Sequence, residues 1–215
     1  MKTAVDLIMF DLDGTLADTG PDLADAVNFT RAHFHLDPLP QALVCAHVGR
    51  GVEYLLRHSL PGADEARFRA VMRLFLERYE EHLLDKTSLY PAVESVLGHF
   101  GDKRRVVVTN KLHRFAVAIL RGLGVEHRFD AILGGDSAAE KKPHPALLHK
   151  VLERFQVPAR RALMVGDGDA DVEAGKRAGV VTCGVTYGLG DGNDLAAAAP
   201  DYLIDDLAKL AELFC

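Results

Sequence analysis

From about residue 88 onward, short apolar runs alternate with amphipathic stretches, and no other feature constrains the fold as much. Arg105-Val106-Val107-Val108-Thr109, Asp130-Ala131-Ile132-Leu133, Ala162-Leu163-Met164-Val165, Val181 to Thr186 and Tyr202-Leu203-Ile204 read as strands. Between them lie helical patterns: His113 to Leu123 ended by Gly124, Pro145 to Phe155, Asp171 to Ala178 stopped by Gly179, and the Ala-rich stretch Asp191 to Pro200. Such alternation implies right-handed crossovers and a parallel sheet with helices on both faces, a doubly wound α/β fold. One more strand stands at the start, Val5 to Phe10, followed by Asp11-Leu12-Asp13 and a turn at Gly14.

Residues 17–87 interrupt that scheme and read as nearly all helix. Thr19 is a candidate cap with Pro21 in the first turn, and Leu23, Ala26, Val27 and Thr30 follow at helical spacing. Pro38 and Pro40 break the pattern, Gly49-Arg50-Gly51 interrupts a second helical stretch, and Pro61-Gly62 ends its continuation. Asp64 to about Leu84 then forms a long amphipathic segment with Val71, Leu74, Phe75, Tyr79 and Leu83 on one face. The expected organisation is an α/β core of residues 1–16 and 88–215, with a helical unit of residues 17–87 inserted after the first strand.

With 215 residues the chain has room for one sizeable core and a modest insertion. A net charge of −6 argues against nucleic acid or an anionic membrane as partner, and no apolar run reaches membrane-spanning length. Lys2 ahead of a short run containing Asp6 does not read as a signal peptide. Cys45, Cys183 and Cys215 are widely spaced with no CxxC pair, which suggests neither a disulfide framework nor a thiolate metal site. A reducing cytoplasm is the expected compartment.

The residues that follow the strands carry the chemistry. Asp11 and Asp13 alternate after the first strand, where period-2 geometry would point both the same way. Alone, the pair also reads as an acidic turn. Thr109-Asn110-Lys111 follows the second strand, and Asp167 the fourth, with Asp169 and Asp171 close behind. Between the third and fourth strands sits Lys141-Lys142-Pro143-His144-Pro145, stiffened by its prolines. Ligands of open α/β sheets gather at the carboxyl ends of strands. Carboxylates, a hydroxyl and an ammonium at one such edge are the parts for metal-assisted phosphoryl transfer, and hard oxygen ligands suit Mg²⁺.

Asp11-Leu12-Asp13-Gly14-Thr15, Val108-Thr109-Asn110, Lys142-Pro143 and Gly166-Asp167 through Asp171 resemble, in order, the four motifs of the haloacid dehalogenase superfamily of phosphohydrolases. Thr109-Asn110-Lys111, Gly135-Asp136-Ser137, Lys141 to Pro145, Val185-Thr186-Tyr187-Gly188 and Pro21-Asp22-Leu23 are similar to its phosphoglycolate phosphatase branch. The resemblance implies a Rossmann-like core with an inserted helical cap, Mg²⁺ as cofactor and a small phosphorylated metabolite as substrate. It implies Asp11 as the nucleophile and a metal ligand. Asp13 would be general acid and then base, lending its backbone carbonyl to the metal. Thr109 and the Asn110 backbone would hold phosphoryl oxygens, and Lys142 would balance charge. Asp167 would bind Mg²⁺ and Asp171 orient the metal's water, although Asp171 also fits a helix N-cap. Lys141 reads as a solvated charge, and Lys111 and Asp136 as structural or rim residues.

The last motif departs from the family, which commonly has Ser and Asn where this chain has Gly168 and Ala170, and Asp169 is an added acid that either compensates or faces solvent. In the helical insert, Arg50 stands where many relatives have Asn; it is a candidate fork for a substrate carboxylate, or a solvated loop charge. Phosphoglycolate phosphatase-like hydrolysis is the leading expectation. A phosphomutase of the β-phosphoglucomutase kind and a catalytically idle binder of phosphorylated metabolites are the alternatives. Whether the chain is a monomer or a homodimer is not legible.

Overall fold

The computed structural model describes residues 2–62 and 64–215. Its first strand, β1 (Leu7–Phe10), lies at the centre of a six-stranded, all-parallel sheet. The helical insert follows as β2 (Ala17–Asp18), α1 (Gly20–His33), α2 (Gln41–Cys45), α3 (Val52–Ser59), α4 (Glu65–His82) and β3 (Ser88–Leu89). The remainder alternates: α5 (Val93–His99), β4 (Arg104–Val108), α6 (His113–Gly122), β5 (Ala131–Leu133), α7 (Ala146–Phe155), β6 (Ala162–Gly166), α8 (Asp169–Ala178), β7 (Val181–Val185), α9 (Gly192–Ala197), β8 (Tyr202–Ile204) and α10 (Leu210–Leu213).

Strand order is β5-β4-β1-β6-β7-β8. Both neighbours of β1 come from beyond the insert, with Phe10 in register with Val107 on one side and Val165 on the other. The order of winding reverses there. That reversal leaves a crevice outside the carboxyl ends of β1, β4 and β6, where open α/β sheets bind ligands.

Period-2 alternation sorts β1 between the two faces. Ile8 and Phe10 join a core with Val96 and Leu97 of α5, Ile119 of α6 and Leu210 of α10. Leu7 and Met9 join another with Leu147 and Val151 of α7 and Ala174 of α8. Helices therefore cover both faces, as a parallel sheet buried on two sides requires. The first of these cores continues into the insert through Leu23, Val27, Phe75 and Tyr79.

Four details differ from the sequence reading. The strand β1 ends at Phe10, so Asp11 and Asp13 lie beyond it. Asp11 still donates its backbone N–H to Val165 O (2.9 Å), whereas Asp13 sits in a turn closed by Gly14 N–H to Ala17 O (3.0 Å). The pleat of a strand therefore does not set their relative direction. Residues 93–99, unassigned from sequence, form α5, because Val93, Val96 and Leu97 recur at helical spacing and bury in the core. Residues 210–213, likewise unassigned from sequence, form α10. A two-residue antiparallel ribbon, Ala17 with Leu89 and Asp18 with Ser88, joins the two ends of the otherwise helical insert.

That junction is held by Asp22. Buried in the first turn of α1, it accepts from Lys86 N–H (3.0 Å), Thr87 N–H (2.8 Å) and Thr87 Oγ1–H (2.7 Å). Charge-assisted bonds to otherwise orphaned backbone donors are the costly ones to lose. Asp22→Ala is expected to lower unfolding stability by about 2–3 kcal/mol, with Asp22→Asn retaining part, measured by urea denaturation. Wild-type stability in Asp22→Ala would show that the junction is held by other contacts.

Candidate active site

Each motif residue is delivered by the end of an element. Asp11 and Asp13 follow β1, Thr109, Asn110 and Lys111 follow β4, Asp167 follows β6, and Asp171 lies in the first turn of α8. Lys142 comes from the loop ahead of α7. Lys142 is buried, and its Nζ donates to Val108 O (2.7 Å) and Asp171 Oδ1 (2.5 Å) and lies 3.0 Å from Asp11 Oδ1. Three acceptors match the three protons of an ammonium. Burial alone would lower the pKa of Lys142, but the carboxylates of Asp11 and Asp171 outweigh it and hold the pKa up.

Carboxylate oxygens of Asp11, Asp167 and Asp171 lie within 4.8 Å of one another, all buried. Three carboxylates face the single ammonium of Lys142, so the cluster lacks two positive charges. That deficit is felt by the acids: burial, and then the charge of Asp11, pushes Asp167 up to about 7 and Asp171 up to about 8. An all-oxygen donor set that is short of two charges fits a hard divalent cation.

Asp167 is fixed by its surroundings. Its Oδ2 accepts from Leu189 N–H (2.8 Å) and Gly190 N–H (2.9 Å), and its Oδ1 from Thr15 Oγ1 (3.3 Å). Gly14, at φ +79°, packs so closely that a Cβ there would stand 2.0 Å from Asp167 Oδ2. Asp171 is not the N-cap of α8, which is Gly168, but the third residue of its first turn, closing a capping box. One oxygen holds Lys142, while the other accepts from Gly168 N–H at the start of α8 (3.2 Å).

Asp13 has a separate cation. Lys111 Nζ donates to its Oδ1 (2.8 Å) and Oδ2 (3.0 Å), and Thr19 Oγ1 donates to Oδ1 (2.6 Å). Thr19 therefore occupies the N-cap position of α1 without capping it: its backbone is αR rather than extended, and its hydroxyl is turned to Asp13. The side chain of Asn110 bridges distant segments: Nδ2 donates to Lys142 O (2.8 Å) and Gly49 O (2.8 Å), and Oδ1 accepts from Lys142 N–H (2.9 Å). Thr109 Oγ1 accepts from Lys111 N–H (3.2 Å), which leaves its own proton for a ligand.

Arg50 stands apart from these groups. Its guanidinium bonds Asp169 Oδ2 at 2.5 Å, spanning from the insert to the first turn of α8, and its side chain is 46% exposed. Asp169, read from sequence as solvent-facing or compensating, is engaged in this pair. Lys141 is only partly exposed, with its Nζ close to Gly51. Asp136 is exposed and accepts from His113 N–H at the start of α6 (2.8 Å), a structural role.

The insert and the core enclose two spaces that meet at Val48 and Gly49. One is an acidic cleft of about 90 Å³ bordered by Arg50, Asp167, Asp169 and Asp171. The other, about 40 Å³, is mostly apolar, with Val52, Leu55, Phe75 and Phe115 in its wall beside Thr109 and Lys111. Asp13 lines both, and is the one ionisable side chain among the described residues to do so. Lys111, read from sequence as a structural or rim residue, is buried against Asp13 and lines the apolar pocket. Its signal was the third position of Thr109-Asn110-Lys111, one residue beyond the part that the motif explains.

A doubly wound sheet with these groups at its switch point defines a hydrolase fold of a known kind. The family model for haloacid dehalogenase-like hydrolases matches residues 8–185, and the chain belongs to that family. It is similar to the phosphoglycolate phosphatase of Haemophilus influenzae, with 37% identity covering 99% of this chain and 100% of that protein. The phosphoglycolate phosphatase of Chromobacterium violaceum is also 37% identical, over 96% of this chain and 95% of the relative. The crystal structure of a predicted phosphoglycolate phosphatase from Haemophilus somnus matches with a TM-score of 0.93 at 32% identity, covering 97% of each chain.

The raised pKa values of Asp167 and Asp171 have a definite sign in linkage. The folded chain holds these protons more tightly than the unfolded one. Their contribution to stability is full below about pH 4 and is lost as pH rises through about 7 and 8. A bound divalent cation supplies the missing charge, so the gain in melting temperature from Mg²⁺ over EDTA is expected to grow across that range. A gain that does not change with pH would show that these carboxylates are not the ligands.

Proposed function

We propose that this protein hydrolyses a small phosphate monoester, with phosphoglycolate the leading substrate by similarity to its relatives. The observation that carries the reading is the position of Asp13, between the acidic cleft and the apolar pocket. A general acid to the leaving oxygen has to stand where the phosphoryl group ends and the leaving group begins.

In this reading Asp11 attacks phosphorus, forming an aspartyl-phosphate as the ester P–O bond breaks. Asp13 gives its proton to the departing alkoxide. Asp13 then takes a proton from water as that water attacks phosphorus, the Asp11–phosphorus bond breaks and phosphate leaves. Lys142 neutralises part of the charge gathered on Asp11 and the phosphoryl oxygens, while Thr109 and the Asn110 backbone hold those oxygens. The Asn110 side chain, committed to both backbone groups of Lys142, acts by positioning that lysine. Asp11, Asp167, Asp171 and the Asp13 carbonyl would hold Mg²⁺, which supplies Lewis-acid stabilisation of phosphoryl charge.

Residues 17–87 act as a cap that excludes water from the reaction. Two bonds support this: Asn110 to Gly49 O and Arg50 to Asp169 tie the insert to the core at the two sides of the site. In this arrangement Arg50 borders the phosphoryl side, where Asp169 competes for its guanidinium. The pocket, at about 40 Å³ where a single water needs roughly 10–15 Å³ of such space, suits a leaving group of few heavy atoms.

Phosphate release from p-nitrophenyl phosphate and from 2-phosphoglycolate, with and without Mg²⁺, tests the proposal. Asp11→Asn is expected to abolish Mg²⁺-dependent release from both. Asp13→Asn should cost about 10²- to 10⁴-fold in turnover, the usual worth of a general acid. Release that survives Asp11→Asn would remove the nucleophile from this scheme.

A further inference from the structure

Two residues that line the apolar pocket carry polar groups that the hydrolytic scheme does not use. The Lys111 side chain is only 5% exposed, yet the residue forms part of the pocket wall. It is the one cation lining that pocket among the described residues; Arg50 lines the acidic cleft instead. Two of its contacts go to the oxygens of Asp13, and an ammonium has three protons to give. Beside it, the buried Tyr79 hydroxyl makes no well-aligned hydrogen bond among the described residues, and the polar group that faces it is the Lys111 ammonium. The Lys111 ammonium lies 4.9 Å from the centre of the Tyr79 ring, so the two groups belong to one corner of the pocket.

A buried phenol without a well-aligned partner costs stability, and such groups persist where a ligand satisfies them. Burial holds the Tyr79 phenol up to about 12, so it keeps its proton at neutral pH and is available as a donor. Apart from Asp13, Thr109 and Asn110 at its phosphoryl end, the remaining wall is apolar, with Leu23, Val52, Leu55, Phe75 and Phe115 among its residues. An anion entering such a place without a partner would lose its hydration uncompensated. With an ammonium and a phenol proton in one corner, a small planar anion finds two donors of the kind it needs.

We propose that Lys111 and Tyr79 form the leaving-group subsite, which selects phosphate esters whose leaving alcohol carries a carboxylate one carbon from the reacting oxygen. This rests on the hydrolytic reading above and assigns to Lys111 the recognition that sequence reading had given to Arg50. The volume of the pocket, about 40 Å³, accommodates a leaving group the size of a two-carbon acid. Asp13, in contact with Lys111, stands beside the ester oxygen that such a group would present.

The test compares 2-phosphoglycolate with 2-hydroxyethyl phosphate, an ester of similar size whose leaving group carries no charge. Wild type is expected to prefer the carboxylate ester in kcat/KM by at least about tenfold. Lys111→Met should shrink that preference roughly 10- to 100-fold, mainly through KM for phosphoglycolate, and Lys111→Arg should restore part of it. Tyr79→Phe, which removes only the hydroxyl, should reduce the preference about three- to tenfold. Equal turnover of the two esters by wild type overturns the proposal without any variant. So does a preference unchanged in Lys111→Met and Tyr79→Phe, or one lost in Arg50→Ala instead. If Lys111→Met fails to fold, Tyr79→Phe and the wild-type comparison still decide. Wild type that releases phosphate from neither ester nor from p-nitrophenyl phosphate counts against the hydrolytic reading, whereas turnover of both esters without discrimination counts against this subsite alone.

Discussion

The ammonium of Lys142 holds the candidate site together. Asp11, Asp167 and Asp171 arrive from three different segments and converge in a region without solvent. Like charges that close, in a medium of low dielectric, would drive one another apart or remain protonated. Lys142 answers part of this by bonding Asp171 and Asp11 directly, and its third bond to Val108 O anchors it to the end of β4. Its own place is set by Asn110, whose side chain accepts from its backbone N–H and donates to its carbonyl. Sheet edge, proline-rich loop and α8 therefore share one hub. Removing one partner would leave the others buried and uncompensated, which costs more than the net worth of any single pair.

Most of this was legible wherever the signal is local. Strand and helix alternate in the sequence because each element carries its own hydrophobic period, and a residue that follows a strand must lie at the sheet edge. The positions of Asp11, Thr109 and Asp167 at neighbouring strand ends follow from that rule alone. What was not legible depends on pairing across distance. Arg50 and Asp169 are 119 residues apart, and nothing local to either says that they meet. Thr19 looked like a helix cap because its neighbours have that pattern; the buried acceptor that claims its hydroxyl, Asp13, lies outside the helix. Lys111 read as a structural or rim residue, and lysine is seldom buried. Its burial depends on Asp13, 98 residues earlier, which supplies the charge that makes it tolerable.

The miss at α5 has another cause. Its seven residues are too few to form a stable helix alone, and Gly98 within it weakens the propensity signal. Val93, Val96 and Leu97 are helical because the sheet face that they cover needs covering. Tertiary burial made the element, and only the spacing of those three residues hinted at it.

The two buried lysines explain why the site is divided as it is. Lys142 has three protein acceptors, two of them carboxylates, and its ammonium is saturated. It can balance charge but has nothing further to offer a ligand. Lys111 has one carboxylate partner and borders an open volume. Between them stand Asp11 and Asp13, two residues apart in sequence, each drawn to a different cation. This separates two carboxylates that would otherwise repel, holding one in the buried cluster with Asp167 and Asp171 and leaving the other at the boundary with the apolar pocket. A scaffold that supplied a single lysine would have to choose between neutralising the cluster of acids and presenting a cation to the pocket. With two, charge balance in the cleft and recognition in the pocket are set by different residues, so a change in the pocket can alter what is bound while the cluster around Lys142 keeps its contacts.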